Sequence, residues 1–208
     1  SCSILTSVTI GNGVTEIGNY AFYNCNDLTS IIIPDSVTSA GNYAFYGCRG
    51  LTTITIGNGV TEIGEYAISD CASLKEIVVG ENNLNFSSLE GVLFNKDQTT
   101  MIQYPFGKSG AYTVPDNVTS INQYAFHMCA GLTSIIIPDN VTFMGVGAFN
   151  GCSSLTSVTI GNGVTSIGDS AFQNCSSLEN VVIPNNVTSI GKWAFYNCSS
   201  LKNVVIPN

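Results

Sequence analysis

Cysteine recurs at one interval along the chain. Cys2, Cys25, Cys48 and Cys71 are 23 residues apart, and so are Cys129, Cys152, Cys175 and Cys198; the one exception, Cys71 to Cys129, is 58. A fixed period of this size means stacked supersecondary units, none of which can close a core alone. Most alternatives are removed at once, because each segment must satisfy the same contacts as its equivalent one period away.

With Cys as position zero, Leu follows at plus three (Leu28, Leu51, Leu155, Leu178) and Val or Ile at plus six and plus eight (Ile31 and Ile33, Val181 and Ile183). Pro or Gly comes at plus nine, Val-Thr at plus twelve, Ile-Gly at plus fifteen and Ala-Phe at plus nineteen, as in Pro184, Val187-Thr188, Ile190-Gly191 and Ala194-Phe195. The alternation ending Leu-x-x-Val-x-Ile puts its apolar residues on one face of a short strand. Pro or Gly stops that strand. Val-Thr-x-Ile is a second short extended piece, and the glycine after it permits a tight change of direction. Phe, Cys and Leu then recur every third residue, which predicts a short α or 3-10 turn. The expected architecture is one solenoid domain over residues 1–208: a β-rich, right-handed stack of 23-residue repeats.

The long gap resolves into an ordinary repeat with Phe106 in the cysteine place, 23 residues before Cys129, preceded by a repeat that carries 12 extra residues. The irregular stretch covers about residues 80–106. In it Val92 and Phe94 alternate with polar neighbours, as do Ile102 and Tyr104, and Asn95-Lys96-Asp97 is turn-like. This predicts a β-hairpin projecting from the stack. It is either a binding element or a patch over a rung that lacks its usual residues, since Asn83 replaces the Val and Ser87 the Gly.

Few residues are charged, and the net charge is −8. Nucleic acid and anionic membrane surfaces reward clustered Lys and Arg, so neither is the expected partner. No apolar run is long enough to span a membrane. The chain lacks an initiator Met and a signal peptide, which suggests a trimmed or mature fragment and leaves export open.

The pattern Leu-x-x-Ile-x-Ile-Pro-x-x-Val-Thr-x-Ile-Gly-x-x-Ala-Phe-x-x-Cys closely resembles the BspA-like leucine-rich repeats of bacterial and protozoan surface proteins. The insertion Gly91-Val-Leu-Phe-Asn-Lys-Asp97 followed by Tyr104-Pro105 resembles a variant repeat of that family. The resemblance implies a leucine-rich-repeat solenoid in a secreted or surface-anchored protein, with a role in adhesion to proteins, cells or other microbes. It brings no shared catalytic residues and no cofactor.

The residues themselves offer little chemistry. The cysteines form a column beside Phe and Leu, where free thiols act as small hydrophobes, and their parallel Cβ vectors suit disulfides poorly. There is no C-x-x-C, and the single His, His127, is expected at the surface. No metal site, Cys–His pair or Ser–His–acid triad follows. Glu16 and Glu62 share a column position two rungs apart, too far for a carboxylate pair. Asn-x-Ser/Thr at Asn85, Asn117, Asn140, Asn174, Asn186 and Asn197 mostly arises from the repeat itself. The chain is read as a non-enzymatic module without cofactor.

Two faces are candidates for a protein or glycan partner. The plus-seven residues Thr9, Ile32, Thr55, Val78, Thr113, Ile136, Thr159 and Val182 make a flat, nearly uncharged strand face, which either binds a ligand or serves strand stacking alone. The aromatic row at plus eighteen, Tyr20, Tyr43, Tyr66, Tyr124 and Trp193, offers apolar area with a polar tip, or packs on the adjacent rung. The chain starts at a repeat boundary and stops at Ile206-Pro207-Asn208 without a polar cap. End-to-end self-association, or fraying of the last rung, is expected from that. The leading functional reading is an extracellular or cell-surface recognition or adhesion module; the alternative is a structural spacer within a larger surface protein.

Overall fold

The alternating segment of each repeat forms a strand that pairs in parallel with its equivalent one repeat on. In this computed structural model, which describes residues 2–206, two compact units are present. One runs to Asp97 and takes in Pro105–Gly107; the other comprises Gln98–Tyr104 and the chain from Lys108 onward. Both are β-solenoids of stacked turns.

In the first unit Ser30–Ile33, Thr53–Ile56 and Glu76–Val79 form a 3-stranded parallel sheet. Ile31, Ile54 and Ile77 are in register and buried, as are Ile33, Ile56 and Val79. A second 3-stranded sheet stacks the two-residue strands Glu16–Ile17, Ser39–Ala40 and Glu62–Ile63. In the second unit Gly110–Thr113, Leu132–Ile137, Ser157–Ile160, Asn180–Val182 and Asn203–Val205 make a 5-stranded parallel sheet. There Thr100–Gln103 pairs with Ser120–Ile121, which pairs with Phe143–Met144. Ser166–Ile167 pairs with Ser189–Ile190.

The core lies between the sheets and the turns. The plus-three leucines Leu28, Leu51, Leu74, Leu132, Leu155 and Leu178 are fully buried. The phenylalanines stack as a column: Phe126, Phe149, Phe172 and Phe195 have ring centroids 4.7, 5.2 and 5.5 Å apart. Each buried Leu or Phe contributes about 1.5–3 kcal/mol through the water it sheds.

The expected helical turn is absent among the described residues. Phe, Cys and Leu do face the core every third residue, but two positions per repeat hold left-handed backbone. One is plus eighteen, with φ of 58°, 56° and 54° at Tyr20, Tyr43 and Tyr66, 58° at Tyr124, 59° at Gly147 and 55° at both Ser170 and Trp193. The other precedes the cysteine, from Cys25 onward, with φ of 53° at Asn24, 55° at Asp70 and 61° at Asn174. A right-handed helix cannot run through such residues. The hydrogen bonds show what replaces it. The N–H groups of Tyr20, Phe22 and Asn24 donate forward one repeat, to the carbonyls of Asn42, Ala44 and Tyr46 at 3.0, 2.7 and 2.8 Å. Those of Ala21, Tyr23 and Cys25 donate three residues back, to Gly18, Tyr20 and Phe22. Alternate peptides thus serve the stack and the turn, and every donor in the segment is used.

A hairpin is present in this stretch, and it begins earlier than expected, at Phe86. Phe86–Leu89 pairs antiparallel with Val92–Asn95, and Leu89 stands opposite Val92. The connection is Glu90-Gly91, with φ of 51° and 78°, so both central residues of the two-residue loop are left-handed, the arrangement that matches strand twist. The hairpin does not project: Val92, Leu93 and Phe94 are fully buried, and Ile77 N–H donates to Gly91 at 2.9 Å. Thr100–Gln103, the other stretch expected as a hairpin strand, is a strand too, and it pairs with Ser120–Ile121 in the second unit. Phe106, in the cysteine place, is buried as predicted.

Candidate functional site

The strand face is built as the repeat requires. Ile32, Thr55 and Val78 are mutual register partners in the first unit. Thr113, Ile136 and Thr159 are partners in the second, and so are Val182 and Val205. Ile32 is 65% exposed and Val182 64%, whereas Thr55 and Val78 are half-buried. Thr9 lies outside the strands, so the face begins at Ile32.

The aromatic row behaves differently in the two units. Tyr20 and Tyr43 stack with centroids 5.1 Å apart and planes 1° from parallel; Tyr43 and Tyr66 follow at 5.3 Å and 18°. Beside them Tyr23 and Tyr46 stack at 5.4 Å, and the two columns meet edge to face at 5.7 Å (Tyr20–Tyr23) and 5.5 Å (Tyr43–Tyr46). Burial, and then the Asp70 charge, raise the Tyr46 hydroxyl above its usual range. In the second unit the row breaks. Gly147 and Ser170 stand where tyrosines would, and the Tyr124 ring lies so close over Gly147 that any side chain there would strike it. Trp193 is 67% exposed. The expected row of five aromatics is therefore a continuous ladder only over Tyr20, Tyr43 and Tyr66.

Polar ladders frame the tyrosines. Asn19 Oδ1 accepts from Asn42 N–H at 2.7 Å, and Asn42 Oδ1 from Glu65 N–H at 2.8 Å. Glu16, Ser39 and Glu62 are in register, which puts Glu16 and Glu62 two rungs apart as expected. All three glutamates are exposed, and none forms an ion pair among the described residues. Arg49, the cation of this region, is engaged with Asp70 at 2.9 Å.

The cysteine column is the part of the repeat that most invites chemistry. All eight thiols are free. Cys48, Cys71, Cys152, Cys175 and Cys198 donate Sγ–H to the carbonyls of Phe22, Phe45, Phe126, Phe149 and Phe172 at 3.0–3.3 Å. The carbonyls of Phe22, Phe45, Phe126, Phe149 and Phe172 each also accept the N–H of their own repeat's cysteine, so both lone pairs are used. A thiol fits because it fills an apolar place and still supplies a donor. Burial pushes Cys48 up to about 11 and Cys175 up to about 12, and holds Cys71, Cys129 and Cys152 well above the usual thiol range. A thiol kept protonated is a poor nucleophile and a poor metal ligand. Cys2 is exposed and Cys198 half-buried. His127, expected at the surface, is half-buried and sits edge-on to Tyr124 at 5.6 Å.

The most specialised polar residue is Asn83, which the sequence shows only as a missing valine. It is fully buried, and its amide donates to Gly57 and Val60 carbonyls at 2.8 and 3.0 Å while its oxygen accepts from Asn85 and Phe86 N–H, both at 2.8 Å. Its full capacity is used to turn the chain into the hairpin. The hairpin is thus joined to the stack as a structural element. The Asn-x-Ser/Thr asparagines are similarly occupied: Asn117, Asn140 and Asn186 each donate to a backbone carbonyl. The Ile206-Pro207-Asn208 end has an exposed Ile206, and Pro207 and Asn208 lie outside the described residues. Among the described residues no helix is long and apolar enough to cross a membrane.

Stacked 23-residue turns with a leucine ladder, a phenylalanine ladder and parallel strands define a leucine-rich-repeat solenoid. The chain belongs to the BspA-type leucine-rich-repeat family: the region so described, of 6 copies, matches residues 1–110 and 107–208. The fold is similar to that of a leucine rich cell surface protein of Faecalibacterium prausnitzii, at 35% identity and a TM-score of 0.87, over 98% of this chain and 54% of that one. It is also similar to the pneumococcal vaccine antigen PcpA, at 26% identity and a TM-score of 0.81, over 94% of this chain and 54% of that one. The chain therefore spans about half the length of these solved relatives. A leucine-rich-repeat protein of Eubacterium ventriosum shares the fold at 21% identity and a TM-score of 0.57. No protein of curated function matches the chain.

Proposed function

We propose that the chain is a non-enzymatic recognition module of a cell-surface or secreted protein, and that it binds a protein partner through the tyrosine ladder of its first unit. The single observation that carries this reading is conformational. Left-handed backbone costs an ordinary residue roughly 1–2 kcal/mol and glycine nothing. The second unit meets the same requirement with Gly147 and Ser170. The first unit places Tyr20, Tyr43 and Tyr66 there instead. Folding does not demand tyrosine at this position, and large amphipathic side chains in a row suit adhesion. The likeness to a cell surface protein and to a bacterial antigen fits an extracellular setting.

The strand face is the second reading, supported by the exposure of Ile32 and Val182. Immobilised extracellular-matrix proteins, probed with the chain and two variants, separate these readings. Loss of binding in Tyr43→Ser/Tyr66→Ser, with circular dichroism unchanged, supports the tyrosine ladder. Loss in Ile32→Asp/Ile136→Asp moves the site to the strand face. Failure of the unaltered chain to bind any matrix protein favours a spacer role.

A further inference from the structure

We infer that the tyrosine ladder takes a cationic, extended protein segment, one whose Lys or Arg side chains reach Glu16, Glu62 and Glu65. The inference rests on the proposed function and names the chemistry of its partner.

The ladder's geometry decides between sugar and peptide. A sugar stacks on the face of an aromatic ring. Here the faces of the middle ring are covered on both sides, by Tyr20 at 5.1 Å and by Tyr66 at 5.3 Å. A ring covered on both faces leaves a partner only a strip of edge; Tyr20 is exposed, and Tyr43 and Tyr66 are half-buried. A hydroxyl both accepts from an ammonium or guanidinium N–H and donates to a peptide carbonyl. The rings, each with one hydroxyl, repeat at 5.1 and 5.3 Å along the stack, close to the spacing of neighbouring strands. A segment laid along this strip meets alternating apolar edge and polar tip.

Charge selects the segment. Glu16 and Glu62 stand on the exposed side of the short-strand sheet, four residues before Tyr20 and Tyr66. Glu65 is adjacent to Tyr66, and its carbonyl takes the N–H of Tyr43 at 2.9 Å. Asp70, the next carboxylate, is neutralised by Arg49. The equivalent positions of the second unit carry Ser120, Phe143, Ser166 and Ser189 in place of the two glutamates, so the negative face coincides with the continuous ladder.

The test is fluorescence anisotropy of the whole chain with a labelled dodecapeptide of alternating Lys and Gly, at about 0.1 M and about 1 M salt. An alternating Glu-Gly peptide and a neutral β-glucan oligosaccharide are run in parallel. The expected result is binding of the Lys peptide alone, weakened by salt and weakened at least about tenfold in Glu62→Gln/Glu65→Gln. The charge-matched control Asp116→Asn/Asp139→Asn, in the second unit, leaves it unchanged. Equal loss in both double variants means bulk attraction to a chain of net charge −8 and overturns the inference. No binding of the Lys peptide, or binding of the glucan in its place, also overturns it. Tyr43→Ser distinguishes the two levels. If it abolishes binding of a neutral or sugar probe, the ladder remains the site and only the cationic partner is wrong. If it leaves Lys-peptide binding intact, both fail.

Discussion

The two units solve one backbone problem with different side chains. At plus eighteen both hold a left-handed residue with φ between 54° and 59°. The first unit fills it with Tyr20, Tyr43 and Tyr66 and gains a stack; the second fills it with Tyr124, Gly147, Ser170 and Trp193 and has no continuous one. Beneath this position the units agree. Phe45 and Phe149 occupy the same place, both fully buried, and Cys48 and Cys152 make the same thiol bond to a phenylalanine carbonyl at 3.1 Å. The repeat therefore has an interior that varies at few places, such as Asn83 and Phe106, and an outer row that varies more. Residues that vary on an invariant backbone are free to serve something other than folding.

The largest effect should come from the part the units share. Phe45→Ala and Phe149→Ala each remove a fully buried ring, stacked on Phe22 in the first case and between Phe126 and Phe172 in the second. Both should cost about 3–5 kcal/mol in urea unfolding. A large inequality between them would show that the interiors are not equivalent.

Asn83→Val comes next. It restores the residue the other repeats carry and should nevertheless destabilise the first unit by about 2–3 kcal/mol, because buried backbone groups lose their partners. Stabilisation by this substitution would mean that the hairpin does not depend on Asn83.

The thiols give a pH dependence. Burial keeps Cys48 and Cys175 protonated up to about 11 and about 12, whereas in the unfolded chain they ionise near 9.0. Between these values the native state binds more protons than the unfolded state, so stability is full below pH 9 and falls as pH rises through the window. Cys175→Ala should flatten the fall by up to about 1.4 kcal/mol per pH unit, read from urea midpoints at pH 8, 9 and 10. A pH-independent midpoint would place these thiols in water.

The period, the inward columns and the buried cysteine place at Phe106 were all legible in the sequence, because apolar spacing reports directly on which face is covered. The conformation between the columns was not. Phe, Cys and Leu at intervals of three read as helix, yet the same spacing results from turns interrupted at Tyr20 and Asn24. Nothing marks a tyrosine as left-handed, although Gly147 in the same column was a usable signal. The hairpin loop at Glu90-Gly91 was missed for a related reason. Asn95-Lys96-Asp97 has turn-forming residues, but Glu90-Gly91 is the pair that provides two left-handed positions in a two-residue loop. Asn83 was seen as an absence, since hydrogen-bonding capacity does not show in apolar periodicity. Of the candidate faces, the columns were legible in the sequence, but the break at Gly147 and Ser170 that sets the units apart was not drawn from it.

The central claim is that the tyrosine ladder is laid on a backbone that does not need it. Urea unfolding of Tyr43→Gly tests this most directly, because that change removes both stacks and relieves the left-handed strain, reproducing the arrangement at Gly147. The expected result is a folded chain that loses no more than about 2 kcal/mol, less than the loss in Phe45→Ala. A loss as large as that of Phe45→Ala, or failure to fold, would contradict it and make the ladder part of the core.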